Sequence, residues 1–164
     1  MSKPSSIFGQ EVNDNSEAAA SNKQRIRLWL RMLATTSGIE QTIRSNLRVR
    51  FETTLPRFDV LAQLDRSPDG LTMGALSSRL MVSAGNVTGL VDRLVQEGLV
   101  IRKASEKDRR SQLVHITDAG RDFFYQMTPE HEAWVSEMLS GLSDEDVQQL
   151  HALLGKMKTD TSVK

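Results

Sequence analysis

Residues 71–117 read LTMGALSSRLMVSAGNVTGLVDRLVQEGLVIRKASEKDRRSQLVHIT. The spacing predicts a short helix, a turn, a second helix, and then a two-stranded ribbon with a basic tip. Thr72 is a good N-cap for the first helix, with Met73, Leu76 and Leu80 facing inward. Ser83 caps the second, whose Val87, Leu90, Val91 and Leu94 recur at i, i+3, i+4 and i+7. Gly98 supplies a left-handed stop. Leu99–Lys103 and Gln112–Ile116 are strand-like, and the stretch between them is polar and charged. A helix able to enter a major groove, followed by a positive loop, suits DNA reading.

The outer face of the second helix carries Asn86, Thr88, Gly89, Asp92, Arg93 and Gln96. Its first turns hold only small or amide side chains, which permit close approach to a groove. Asn86 can pair bidentately with adenine, while Ser83 and Thr88 can bond bases or phosphates. The helix N-terminus itself favours phosphate. Lys107, Arg109 and Arg110 sit at the ribbon tip, where they can reach the backbone or minor groove, with Asp108 placed to hold an arginine. The plainer alternatives are an ordinary capped helix start and a solvated loop.

Composition sets the frame. The chain has 164 residues, 38% hydrophobic and 5% aromatic, with 21 basic and 21 acidic side chains. It is long enough for one compact unit with appended helices, mainly helical. Net charge does not announce nucleic-acid binding, but its distribution is polarised. Residues 23–50 hold seven Lys/Arg against one acid, Glu40, and residues 129–155 hold six acids and no Lys/Arg. The absence of cysteine excludes disulfides, Cys-zinc sites and thiol redox sensing. No apolar run has the length of a membrane span, and the first residues lack an apolar signal core. A soluble, cytoplasmic protein that does not meet a membrane is the expectation.

Around the central stretch, residues 1–22 read as a disordered tail rich in Ser, Asn and Glu. A long helix starts near Lys23, with a stripe of Ile39, Ile43, Leu47 and Phe51 and an upstream cluster of Leu28, Trp29, Met32 and Leu33. Gly38 is a candidate bend, and part of this helix is expected to be a subunit interface. Thr53-Thr54-Leu55-Pro56 stops and restarts the chain, with Pro56 suited to a first helical turn. Ser67-Pro68-Asp69-Gly70 is a turn. Thr117 caps a helix that Pro129 should kink or interrupt. Ser143 with Asp146 resembles a capping box opening a last amphipathic helix.

Several motifs occur in order: FDVLAQL, LSSRLMVSAGNVTGLVDRLVQEGLV, the turn DRR, and ITDAGR. Together they resemble the winged helix-turn-helix of MarR-type transcriptional regulators, over about residues 24–157. The resemblance implies a homodimer whose N- and C-terminal helices interlock. Each recognition helix would enter a major groove of a pseudo-palindromic double-stranded operator, and each wing an adjacent minor groove. Arg109 would be the minor-groove residue and Arg93 would lie on the recognition helix near the wing. Many relatives have Arg or another long side chain where this chain has Gly89, so base readout should rest more on Asn86 and Thr88.

The family usually senses small, often aromatic, ligands between the dimerisation helices and the winged domain. By resemblance the wall would come from Trp29, Met32, Leu33, Phe58 and Leu61, with the Phe123–Phe124 region opposite. Such stripes also fit plain core. The basic run has its own reading: Arg44 and Arg48 beside an apolar slot would suit a phosphate-bearing ligand such as an aromatic acyl coenzyme A thioester. RLWLRML, TTLPRFDVL and MVSAGNVTGLVDRLV are similar to a MarR branch that answers to hydroxycinnamoyl-type thioesters. The plain alternative is that these arginines are solvated or pair with the acidic C-terminal segment of a second subunit.

Catalysis finds little support. His115, His131 and His151 are far apart, and the zinc-protease pattern begun by His131-Glu132 fails at Val135. No cofactor, metal ligand set or catalytic residue is expected. The predicted organisation is a tail over 1–22, an N-terminal dimerisation region over 23–54, a winged helix-turn-helix over 55–117, C-terminal dimerisation helices over 118–158, and a tail over 159–164. The competing functional readings are a winged-helix adaptor for protein contacts and a nonspecific DNA-binding protein without an effector.

Overall fold

A computed structural model of the chain describes residues 8–80, 83–104 and 112–157, with side chains from Ala20 onward. In chain order the elements are α1 (Phe8–Phe51), α2 (Leu55–Asp65), β1 (Leu71–Thr72), α3 (Met73–Leu80), α4 (Ala84–Gln96), β2 (Val100–Ala104), β3 (Gln112–Ile116), α5 (Asp118–Met138) and α6 (Asp144–Gly155). The fold is mainly helical, with six helices and one small antiparallel sheet among the described residues. The chain divides into two compact units, Met1–Thr42 and Ile43–Lys164.

In the first unit α1 begins at Phe8 rather than near Lys23. Ala18, Ala19 and Ala20 are strong helix formers, and they outweigh the polar composition that reads as a tail. Gly38 does not break the helix; its carbonyl accepts the Thr42 hydroxyl at 3.0 Å. Ile26, Leu28, Trp29, Leu30 and Leu33 are all exposed.

The second unit opens with the last turns of α1, where Ile43 and Leu47 are buried. Glu52 leaves the helix in the left-handed region at φ 51°, and the Thr53 N–H reaches back to the Leu47 carbonyl at 3.3 Å. Pro56 sits in the first turn of α2, as its missing N–H allows. From there the core builds along one stripe per helix. Phe58, Val60, Leu61 and Leu64 come from α2, Leu76 from α3, and Val87, Val91 and Leu94 from α4. Phe124, Met127 and Trp134 come from α5, with Val100 and Val114 from the strands.

The ribbon has three strands rather than two. Leu71 and Thr72 form β1, paired with Val114 and Leu113, so the order is β1-β3-β2. Two residues are too few to carry an alternation signal, and Thr72 also keeps its role at the start of α3, accepting the Ala75 N–H at 3.1 Å. Pro129 likewise departs from expectation: α5 runs through it unbroken. The carbonyl left without its N–H partner belongs to Tyr125, an exposed residue that water can reach.

The winged portion is closed by one junction. The α4 helix ends with the Leu99 N–H on the Leu94 carbonyl at 2.9 Å and the Gly98 N–H on the Val95 carbonyl at 3.0 Å, with Gly98 at φ 74°. This is a Schellman end. Thr117 then joins three elements. Its N–H donates to the Leu99 carbonyl at 3.1 Å. Its hydroxyl donates to the Gly98 carbonyl at 2.7 Å and accepts the Gly120 N–H at 3.0 Å. A Cβ at Gly120 would lie 2.0 Å from the Leu99 carbonyl oxygen.

Gly120→Ala should therefore destabilise the protein by about 1–3 kcal/mol, because backbone rather than a flexible side chain blocks the added methyl. Chemical denaturation of both proteins checks this, and an unchanged midpoint would show that the junction yields more easily than its geometry implies.

Candidate nucleic-acid interface

The α4 helix separates its residues cleanly. Val87, Val91 and Leu94 have no exposed surface, whereas Ser83, Ala84, Gly85, Asn86, Thr88, Gly89, Arg93 and Gln96 are exposed. Two glycines on that open face matter. Each costs roughly 0.5–1 kcal/mol of helix stability relative to alanine, yet a Cβ at Gly85 or Gly89 would meet nothing within 4 Å. Packing inside this chain does not call for them.

The polar residues on this face are differently committed. Ser83 holds the N-cap position, with extended backbone and its carbonyl accepting the Val87 N–H at 3.2 Å, but its hydroxyl makes no capping bond. Thr117 and Ser143 cap with their hydroxyls, whereas Ser83, like Thr54 of α2, does not. The Thr88 hydroxyl donates to the Ala84 carbonyl at 2.9 Å. Its proton is used within the helix, and what remains for a partner is its lone pairs and methyl group. Asn86 and Arg93 are exposed.

Ion pairs hold this helix in place. Arg102 of β2 bonds Asp92 of α4 at 2.6 Å, tying the sheet to the middle of the helix. Arg57 of α2 forks onto Glu97, the C-cap of α4, with one contact at 2.6 Å and a second between the other nitrogen and oxygen. The fork lowers the Glu97 carboxyl below its ordinary range and raises Arg57. Asp65 of α2 receives Arg121 at 3.1 Å and the Tyr125 hydroxyl at 3.2 Å, both from α5. These pairs are partly exposed, so their main effect is orientation rather than stability. Sequence reasoning missed them: Arg57 and Glu97, or Asp65 and Arg121, have no periodic relation in the chain.

Lys107, Arg109 and Arg110 lie outside the described residues. The strands that carry them are placed: β2 leaves at Ala104, paired with Gln112 of β3.

The residues expected to wall a ligand cleft are divided between the two units. Trp29, Met32 and Leu33 belong to the first unit, where Trp29 and Leu33 are 58% and 52% exposed. In the second unit Arg44 and Arg48 line a cavity of about 580 Å³ with Glu52, Thr53, Thr54 and Leu55. Phe58 and Phe124 meet at 5.3 Å between ring centres and line another, of about 440 Å³, with Ala62, Arg66, Thr128 and His131 among its walls. Leu61 has no exposed surface. Phe123 points elsewhere, into a cavity of about 260 Å³ beside Arg57, Glu97 and Leu99. His131 stacks on Phe58 at 4.6 Å between ring centres and 24°. Among the described residues no group of three or more His, Asp or Glu is placed to hold a metal, and no helix is long and apolar enough to cross a membrane.

Comparisons with known proteins agree on one family. The profile of the MarR family matches residues 52–111. An HTH-type transcriptional regulator of Bacillus subtilis, YkoM, is 36% identical over 118 residues, covering 71% of this chain and 74% of its own. The regulator PecS of Dickeya dadantii is 32% identical over 111 residues, covering 66% and 67%. Among solved structures, a MarR family transcriptional regulator from Silicibacter pomeroyi is 38% identical with TM-score 0.69, covering 82% of this chain and 93% of that one. A MarR variant from E. coli complexed with operator DNA is 25% identical with TM-score 0.73, covering 83% and 96%.

Burial pushes the His131 imidazole below its ordinary pKa, with Glu132 acting weakly in the opposite direction. The unfolded chain therefore binds this proton more readily than the folded one. The stabilising effect is complete above about pH 6.5 and is lost as pH falls through the lowered folded value. A His131→Gln variant should show a flatter stability profile across mildly acidic pH than the parent in urea titrations. Identical profiles would mean that the imidazole is not desolvated in solution.

Proposed function

This chain belongs to the MarR family, and on that premise we propose that it is a ligand-responsive transcriptional repressor that binds a pseudo-palindromic operator as a homodimer. The observation that carries the reading is the open N-terminal half of α4. Gly85 and Gly89 leave space there that this chain does not fill, and Ser83, Asn86 and Thr88 line it. In this reading α4 enters the major groove, Asn86 reads adenine, and Ser83 and Thr88 contact bases or phosphates. Arg93 supports the same face, while Lys107, Arg109 and Arg110 form the wing tip that meets backbone and minor groove. The E. coli relative complexed with operator DNA supports this choice of partner.

Support for the homodimer comes from apolar surface that one chain leaves uncovered. On α6 Val147, Leu150, Leu153 and Leu154 are all exposed, as are Leu28, Trp29 and Leu33 on α1. Half-sites should lie about one helical turn, roughly 10 base pairs, apart. For the effector, the reading is an aromatic acid or its coenzyme A thioester, with Phe58 toward the ring and Arg44 and Arg48 toward phosphate. Such a ligand relieves repression only if it binds a non-DNA-binding form of the dimer more tightly.

Affinity selection of genomic fragments by the purified protein at moderate salt tests the whole reading. One enriched palindrome is expected; enrichment of none would leave a nonspecific binder or an adaptor. Asn86→Ala should broaden the selected motif, and an unchanged motif would remove Asn86 from base reading. Arg109→Ala should weaken operator binding by about 1–3 kcal/mol; undiminished affinity would remove the wing. Calorimetric titration with an aromatic acid and its thioester should favour the thioester, and equal affinities would refute the phosphate component.

A further inference from the structure

We propose that Thr88 reads thymine, meeting the C5-methyl group of that base in the major groove with its own methyl group. This rests on the reading of α4 as the groove helix, and it names what one side chain of that helix selects.

The observation that carries it is where the Thr88 proton goes. A threonine hydroxyl has one proton to donate, and here the Ala84 carbonyl accepts it at 2.9 Å. Donation to a phosphate oxygen, or to an acceptor on a base edge, would break this bond to make another of the same kind. The exchange gains little. What the side chain adds without giving anything up is its methyl group, and among the four bases thymine is the one that presents a methyl group in the major groove.

The same bond orients the methyl. A β-branched side chain in a helix has few χ1 positions, and threonine there turns its hydroxyl to a carbonyl of the preceding turn. With the hydroxyl turned to Ala84, the methyl is held in one rotamer. Thr88 is exposed, as is Ala84 one turn before it, so their two methyl groups lie on one face of α4. Gly85 and Gly89 follow each of them in sequence and carry no side chain to hold a base edge away.

The test uses the full chain and a randomised duplex library, from which the parent protein selects its sequence. The selected duplex is then remade with deoxyuridine for thymidine, one position at a time. Uracil keeps the pairing and the O4 acceptor and lacks the methyl group. At one thymine of each half-site the change should weaken binding about fourfold, the effect of leaving one methyl group unburied. If no thymine is sensitive, the proposal is overturned. Thr88→Ser keeps the hydroxyl and removes the methyl. It should bind thymine and uracil duplexes alike at that position, and retained discrimination would overturn the assignment to Thr88. Thr88→Val keeps a methyl and removes the hydroxyl. It should bind the parent's duplex with little loss and an unchanged salt slope. A large loss with a shallower slope would give the hydroxyl to a phosphate and overturn the proposal. A loss confined to duplexes with an adenine or cytosine amino group at the contacted position would do the same, because the oxygen would then be the reader. A parent protein that selects no sequence at all refutes the groove reading and this proposal together. Selection without a methyl-sensitive thymine refutes this proposal alone.

Discussion

The close contact between Gly120 and the Leu99 carbonyl is the constraint on which the winged portion depends. With Gly120 in place, the start of α5 lies directly on the chain leaving α4. Thr117 can then bond the Gly98 carbonyl, the Leu99 carbonyl and the Gly120 N–H at once. The end of the recognition helix, the base of the sheet and the start of α5 are thereby set by one residue's hydrogen bonds. Each bond is modest alone. Together they leave few alternative angles for α4 relative to the sheet.

The remaining ion pairs act on this frame as struts. Arg57 holds Glu97 at the C-terminal end of α4, and Arg102 holds Asp92 at its middle. The N-terminal half has no comparable strut among the described residues, and it is the half that carries Gly85, Asn86, Thr88 and Gly89. A helix fixed at its far end and bare at its near end presents a rigid but unencumbered surface. That division of labour is what groove recognition requires, because positional error in a reading residue weakens directional hydrogen bonds.

The same logic explains where helical stability has been given up. Gly85 and Gly89 lower helix propensity without serving any contact in the chain. Glu52 occupies a left-handed position that glycine would fill with less strain. Local preference and global fold otherwise agree closely, and Gly85, Gly89 and Glu52 are the exceptions.

Much of this was legible in the residue pattern alone. Val87, Val91 and Leu94 marked the buried side of α4, and that assignment left Asn86 and Arg93 outside. Ser143 with Asp146 announced the capping box, and Ser67–Gly70 the turn, because both are local and need no distant partner. The sequence by itself determined the order of helices, the wing strands and the family resemblance, since periodicity and turn chemistry act over a few residues. Tertiary structure alone decided that Leu71–Thr72 forms a third strand, that α5 continues through Pro129, and that Leu61 is fully buried. It alone brought Arg57 to Glu97 and Arg102 to Asp92, and left the Thr53 hydroxyl buried without a partner among the described residues. The reason is physical: pairing of a two-residue strand, matching of a buried hydroxyl and closure of an ion pair depend on atoms distant in sequence, whose proximity exists only once the chain has packed.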